Sequence, residues 1–458
     1  MIERKNVWEN ISDNELKDLN SYCDSYMDFL SVAKTERLAY EEVRKMALEN
    51  GFVDLEDKLK EGKITRGDKI FVNNKNKACA LFVIGENMEE GMNIVGSHID
   101  SPRLDIKANP MIEDGNLSYF KTHYYGGVKK YQWVNIPLAL HGVLFNRQGE
   151  KINISIGEED DEPVFYINDL LIHLSKDQME KSAKDVITGE QLSIVIGHSS
   201  RGNEKDEKDQ VTKNVLKILK DKYGIDEEDF QRAEIEAVPA GRAREVGFDR
   251  SLIAGHGHDD RVCSYANVKA LMEIENPRRT AVSLVVDKEE IGSVGNTGMT
   301  SKFFENAVAE ILNVQGNYSD LKLRRAMANS KVLSADVNTA YDPMFKEVVE
   351  NNNVAYMGCG VGISKYTGAR GKSGSNDANA EFLAEVLNKF DEKNVIWQVG
   401  ELGKVDQGGG GTIAYILAEY GAEVLDCGPG MLSMHAPVEL ISKADAYETY
   451  RAYRAFFE

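Results

Sequence analysis

Residues 280–286 form a largely apolar run that stops just before the adjacent carboxylates Glu289 and Glu290. A short continuous apolar run of this kind predicts a strand of a parallel sheet, buried on both faces. Similar runs recur at 92–98, 331–336 and 423–426, each closing on a polar or acidic residue. Between them the spacing changes to the helical period, with apolar stripes across 12–50, 262–274, 303–312, 376–390 and 442–457. Gly51 reads as a helix C-cap. Shorter strands are predicted at 69–72, 78–84 and 395–399, a buried glycine-spaced strand at 354–363, and a helix over 412–420 behind Gly408–Gly411.

From about Leu104 to Pro239 the texture differs. Asn-Pro, Asp-Gly and Gly-Gly turn signals separate β-rich runs such as 138–145 and 151–156. An amphipathic helix is expected at 211–223, and a polar, mobile loop at 202–208. The expected organisation is an α/β core in two parts, residues 1–104 and 240–458, interrupted by an inserted β-rich domain at 105–239.

A length of 458 residues suits two domains, and a composition of 42% hydrophobic and 28% charged residues suits a globular chain. The net charge of −20 argues against nucleic acid as a partner. No stretch approaches the roughly twenty apolar residues a spanning helix needs, so no membrane partner is expected. The five cysteines, Cys23, Cys79, Cys263, Cys359 and Cys427, are odd in number and far apart. They read as buried reduced thiols and predict a cytoplasmic protein.

Chemistry enters where the runs end. Open α/β sheets bind ligands beyond the carboxyl ends of their strands, and paired carboxylates there repel unless a cation or shared proton relieves them. His98 and Asp100 close the run at 92–98, on the same side of an extended chain, so Asp100 is placed to hold the second nitrogen of a ligating His98. Asp259 and Asp260 open a predicted helix, where a carboxylate serves as a cap or as a bridge between metals. His256 and His258 beside them are further candidate ligands. Asp336 and His435 end two more segments. His98, Asp259, Glu289, Glu290, Asp336 and His435 together match a co-catalytic two-metal site, with two imidazoles, a bridging carboxylate and terminal carboxylates. Zinc suits such a mixed nitrogen and oxygen set, as do cobalt and manganese. One of the adjacent glutamates stays off the metal to move protons.

Other features are weaker. His173 follows an apolar run and reads by default as a core or interface residue, as do His123, His141 and His198. The basic stretch 365–377 is not a phosphate loop, because Tyr366 stands where the motif needs a glycine. It either contacts an anionic part of a substrate or is a solvated loop. Gly-x-Ser-x-Gly and His-Glu-x-x-His are absent, and adjacent acids cannot flank a sugar bond as glycosidase carboxylates do.

The segments Gly96-Ser-His-Ile-Asp-Ser-Pro-Arg103, His258-Asp-Asp-Arg261, Asp287-Lys-Glu-Glu-Ile-Gly292, Ser334-Ala-Asp336 and Ser433-Met-His-Ala-Pro-Val-Glu439 resemble the M18 family of metallo-aminopeptidases, in the same order and across nearly the whole chain. The resemblance implies a zinc-peptidase, phosphorylase/hydrolase-like core with a β-rich dimerisation insert, peptide substrates, and a homo-oligomer, expected to be a dodecamer. It implies two zinc ions per subunit, one held by His98, Asp259 and Asp336, the other by Asp259, Glu290 and His435. Glu289 becomes the general base and acid, and Asp100 orients His98. His173 is implied to complete a partner subunit's site, and Lys365 to lie near substrate. Differences at 370–375 and 408–411 set the chain nearer the bacterial aminopeptidase-I branch than the eukaryotic aspartyl aminopeptidases, with acidic or neutral N-terminal residues as expected substrates. The alternatives carried beside this reading are a two-metal N-acyl amino-acid deacylase and a non-enzymatic, metal-stabilised assembly.

Overall fold

Every residue of Thr280–Val286 is buried in the computed structural model, which describes residues 4–201 and 208–458. The strand alternates between two cores: Ala281 and Val285 face one, while Val282, Leu284 and Val286 face the other. It belongs to a nine-stranded sheet ordered Val53–Asp54, Lys69–Asn74, Ala78–Val83, Thr280–Val286, Met92–His98, Lys331–Ser334, Glu423–Gly428, Val361–Ser364, Trp397–Val399. Met92–His98 is central, with parallel partners on both sides, and His98 pairs in register with Val286. Helices cover both faces. Asp13–Val32, Glu36–Glu49, His258–Met272, Ala380–Glu392 and Lys443–Phe457 supply one core, through Leu19, Val43, Leu271, Phe390 and Tyr453. Leu55–Glu61, Phe303–Val314, Asp320–Ala328 and Ala414–Ala418 supply the other, through Leu55, Phe304, Leu323 and Leu417.

The chain divides into two compact units, the first comprising 1–100, 243–434 and 439–458, the second 101–242 and 435–438. The second unit is built on a six-stranded antiparallel sheet ordered Lys151–Ile156, Leu138–Phe145, Ala233–Pro239, Arg103–Asp114, Leu117–Tyr125, Ile194–Gly197. Its own core includes Leu104, Phe120, Trp133, Leu140 and Ile235.

Several expected elements differ in extent. The apolar stripe across 12–50 is two helices, separated where Thr35 caps the second by accepting from the Leu38 amide. Of the strand expected over 354–363, only Val361–Ser364 forms. Gly358 and Gly360 have φ of +81° and +85°, which ends extended structure, and their amides donate to the two carboxylate oxygens of buried Asp445 at 2.8 and 2.7 Å. The helix behind Gly408–Gly411 shortens to Ala414–Ala418, and the one expected from 376 starts at Ala380. The helix at 211–223 is α-helical over Gln210–Ile218 and then widens into a π turn, Leu219–Tyr223. The loop at 202–208 lies outside the described residues except for Lys208. Among the described residues, no helix is long and apolar enough to cross a membrane.

Candidate metal centre

Three adjacent parallel strands bring the chemistry together. His98 ends Met92–His98, Glu289 and Glu290 follow Thr280–Val286, and Asp336 follows Lys331–Ser334. Asp259 and Asp260 arrive on the first turn of the His258–Met272 helix, where both leave helical φ/ψ and are joined by a cis peptide bond.

The His98 ring lies at the middle of this group and is 2% exposed. Its Nδ1 is 3.0 Å from the Asp100 carbonyl oxygen and 3.3 Å from Asp100 Oδ1. A proton on Nδ1 donated to Asp100 leaves the Nε2 lone pair facing the acids. Nε2 lies 3.3 Å from Asp259, 3.8 Å from Asp336 and 3.9 Å from Glu289. Ligand atoms of His98, Asp260 and Asp336 lie within 4.8 Å of one another, as do those of Asp259 and Glu290. Asp259 is therefore near His98 on one side and near Glu290 on the other.

The scaffold is specific. Asp100 Oδ1 accepts from the Glu289 amide at 3.1 Å and Oδ2 from the Glu290 amide at 3.2 Å, so one buried carboxylate fixes both glutamates as well as His98. Lys288 turns the chain at φ +66°, with its ammonium on Asp287 at 2.6 Å and on Thr297 at 2.7 Å. Glu289–Ile291 is a 3₁₀ turn, not extended backbone. Successive residues there still point apart, about 120° from each other. Buried Arg261 donates to the Ile99 and Lys34 carbonyls at 3.1 and 3.2 Å, tying the helix start to the strand end.

Electrostatics shows the cost of gathering these acids. Burial drives the pKa of Asp260 and Asp336 up, with neighbouring carboxylates adding to the effect. Burial pushes Glu289 up to about 8, against a partial lowering by His98 and further raising by Asp336, Asp100 and Asp259. Burial pulls His98 down, but its bonds to Asp100, Asp259 and Asp336 outweigh this and hold it well above the usual imidazole range. Asp260 Oδ1 is buried with no hydrogen-bond partner among the described residues. Crowded, buried carboxylates around an imidazole nitrogen form a donor set that a divalent cation fits and that protons alone satisfy poorly.

A stability consequence follows for protein stripped of divalent ions. An acid whose folded pKa is raised binds protons more tightly folded than unfolded, so its contribution is present at low pH and is lost as pH rises through the folded value. Glu289, at about 8, spans the window above an unfolded value of about 4.3. The urea midpoint of the stripped protein should fall between pH 5 and pH 8, and zinc should reduce that slope. A midpoint that rises over this range contradicts the raised carboxylates.

Of the other candidates, His435 lies in the second unit, at φ +64° with Nδ1 2.9 Å from the Gly127 carbonyl oxygen. His173 is exposed in the short turn Ile172–Leu174 of the same unit. Lys365 is about half exposed and 3.7 Å from Asp377. His258 belongs to neither group of converging ligand atoms; its Nδ1 is 2.7 Å from the Tyr26 hydroxyl, and burial lowers its pKa to about 3. His141 pairs with Glu158 at 2.9 Å. Two contributors went unrecognised in the sequence. Asp260 is absent from the ligand set that the sequence suggests, although two adjacent acids at a helix start are themselves a signal. Glu439, whose Oε2 accepts from the Asp259 amide at 3.2 Å, closes the segment 433–439 but has no role assigned to it by the sequence.

The chain has known counterparts in sequence and fold. Residues 29–457 match the family model described as aminopeptidase I zinc metalloprotease (M18). The chain is 51% identical to a probable M18 family aminopeptidase 1 from Clostridium acetobutylicum, over 99% of this chain and 98% of that one. It is 49% identical to the counterpart from Thermotoga neapolitana, over 100% and 99%. Among solved structures, an M18 aminopeptidase from Thermotoga maritima superposes with a TM-score of 0.95 at 46% identity, and aminopeptidase I from Clostridium acetobutylicum with 0.93 at 47%, each covering 100% of both chains. A zinc-metalloprotease fold with an acid-and-imidazole cluster at its strand ends defines a hydrolase class. The chain belongs to the M18 family of aminopeptidases.

Proposed function

We propose that this chain removes the N-terminal residue of peptides at a site holding two divalent ions, zinc by the family's chemistry. The observation that carries the reading is the convergence of His98, Asp259, Asp260, Glu289, Glu290 and Asp336, drawn from three strand ends and one helix start. His98, Asp259 and Asp336 would hold one ion. Asp259, Glu290 and His435 would hold the other. Bound divalent ions supply Lewis acidity that lowers the pKa of a water and balances developing oxyanion charge. Glu289 takes the proton of the attacking water and delivers it to the leaving amine. Asp100 is a positioning residue, fixing the His98 tautomer and the Glu289 and Glu290 backbone.

The second unit is proposed as the self-association module, consistent with Ile172, Leu174 and Met179 being 71, 68 and 68% exposed around His173. We place the chain in a homo-oligomer, a dodecamer by family resemblance, with His173 reaching a partner's substrate and Lys365 near substrate on its own subunit. Sedimentation as a monomer at micromolar concentration would overturn the assembly. Five free, buried cysteines suit a reducing cytoplasm, and recovery of the protein from the extracellular fraction would contradict it.

The test is a panel of aminoacyl-nitroanilides, including acidic and neutral residues. Chelation should abolish turnover, and zinc, cobalt or manganese should restore it. Acetylating the substrate's α-amine should stop cleavage. Undiminished cleavage of the acetylated substrate favours the deacylase reading, and no turnover of any substrate with metal bound favours a non-enzymatic assembly.

A further inference from the structure

The loop 287–300 carries both glutamates of the candidate site and closes on itself around one lysine. Asp287 and Thr297 meet where the loop closes, 1 and 2% exposed. The Asp287 amide donates to the Thr297 carbonyl oxygen at 3.3 Å, and the Thr297 hydroxyl donates to Asp287 Oδ2 at 2.6 Å. The Lys288 ammonium donates to both, to Asp287 Oδ2 at 2.6 Å and to Thr297 Oγ1 at 2.7 Å. The Lys288 amide donates to Asp287 Oδ1 at 2.8 Å. The stem of Lys288 runs beside Gly295, where a Cβ would stand 3.3 Å from Lys288 Cδ. A tether from outside the loop comes from the Asn74 side-chain amide, which donates to the Asn296 carbonyl at 3.0 Å.

This closure holds an uncommon backbone. Lys288 has φ +66°, in the left-handed region that a side chain disfavours and that persists only where the surroundings fix it. The turn directs the two residues that follow. The Ser293 amide donates back to the Lys288 carbonyl at 2.7 Å, and the Gly292 amide to the Glu289 carbonyl at 2.8 Å. Asp100 accepts the Glu289 and Glu290 amides. The glutamates are therefore held through their amides by Asp100 and through the preceding turn by Asp287, Lys288 and Thr297. The ammonium also matches the charge of buried Asp287, which otherwise stands against Asp100 and Glu36.

We propose that Asp287, Lys288 and Thr297 are positioning residues for the peptidase reaction. Their clamp holds the left-handed turn and so aims the Glu289 carboxylate at the water that it deprotonates. The proposal rests on the reading of Glu289 as general base. It assigns a role to Thr297, which touches neither glutamate in this network and acts only through Asp287 and Lys288.

The test compares Thr297→Val, Thr297→Ser and Lys288→Gly with the parent by kcat, KM, bound metal and amide hydrogen exchange across 284–300. Thr297→Val keeps the shape and loses the hydroxyl. It should lower kcat about tenfold, the cost of a small misplacement of a reacting group, with KM and bound metal at the parent level. Exchange of the amides at 287–291 should quicken about tenfold in metal-free protein, as expected when a local closure opens more often. Thr297→Ser restores the hydroxyl and should recover both readings. Lys288→Gly adopts φ +66° without strain but lacks the ammonium, and should resemble Thr297→Val. Parent kcat in Thr297→Val or Lys288→Gly overturns the proposal, as does an equal loss in Thr297→Ser, or unchanged exchange in Thr297→Val and Lys288→Gly. An active parent with full kcat in Thr297→Val removes the positioning role and leaves the general-base reading standing. A metal-loaded parent that cleaves no peptide removes that reading and the aiming role with it, and exchange in the variants then reports the clamp alone.

Discussion

Glu289→Gln is expected to lower kcat by about 10²–10⁴-fold, the range attributed to a positioned general base and acid, while metal content stays at the parent level. Three observations support so large an effect without loss of metal. Glu289 is held through its own backbone, with its amide on Asp100 at 3.1 Å, and a glutamine keeps that bond. Its carboxylate lies 3.9 Å from His98 Nε2 and belongs to neither of the groups whose ligand atoms converge. Burial raises its proton affinity, with a pKa of about 8 before any cation is counted. A divalent ion nearby opposes that shift and leaves an acid able to take and return a proton near neutral pH. Steady-state kinetics together with metal analysis by atomic emission decides the matter. Turnover within about threefold of the parent, with metal retained, removes Glu289 from the proton-transfer role. Lost turnover together with lost metal assigns it to the ligand set instead.

The extent to which the site was legible in the sequence follows from how each residue reaches it. His98, Glu289, Glu290 and Asp336 stand where apolar runs stop, and in a parallel sheet the ends of neighbouring strands lie together. Local pattern therefore located them. Asp259 and Asp260 were visible as a pair but not separable, because choosing between them depends on backbone dihedrals outside the helical region that pattern does not report. His258 carries the same ligand-type signal as His98. Its engagement by Tyr26, 232 residues earlier in the chain, is a tertiary fact. The second role of Asp100, as acceptor for two amides 189 and 190 residues away, was equally hidden. In the fold, the β-rich segment was announced by its turn signals. The strand expected over 354–363 failed because Gly358 and Gly360 were read as spacing in a buried run, whereas their positive φ and their bonds to Asp445 make a turn. Glycine density gives a segment freedom; the contacts made elsewhere decide how that freedom is used.

Asp259→Asn is expected to cost more metal than any other single ligand change. The Asp259 carboxylate lies between two sets of donors, 3.3 Å from His98 Nε2 and within 4.8 Å of a Glu290 oxygen. Under the proposed two-ion reading, a carboxylate in that position would offer an oxygen to each ion, and its charge would partly screen one cation from the other. Asparagine keeps the shape but offers one weak oxygen donor and no charge. Both ions should therefore be weakened, with bound metal falling below one per chain at concentrations that load the parent fully. Loss of the several kcal/mol of transition-state stabilisation that metal ions provide corresponds to a fall in kcat/KM on the order of 10³-fold. Asp336→Asn is the informative contrast. Its carboxylate lies 3.8 Å from His98 Nε2 and belongs to the His98 and Asp260 group alone, so it should weaken one ion and spare the other. Equilibrium dialysis against graded zinc resolves the two outcomes. If Asp259→Asn retains two ions per chain, or if it and Asp336→Asn lose the same single ion, Asp259 is a ligand of one ion and not the bridge between two.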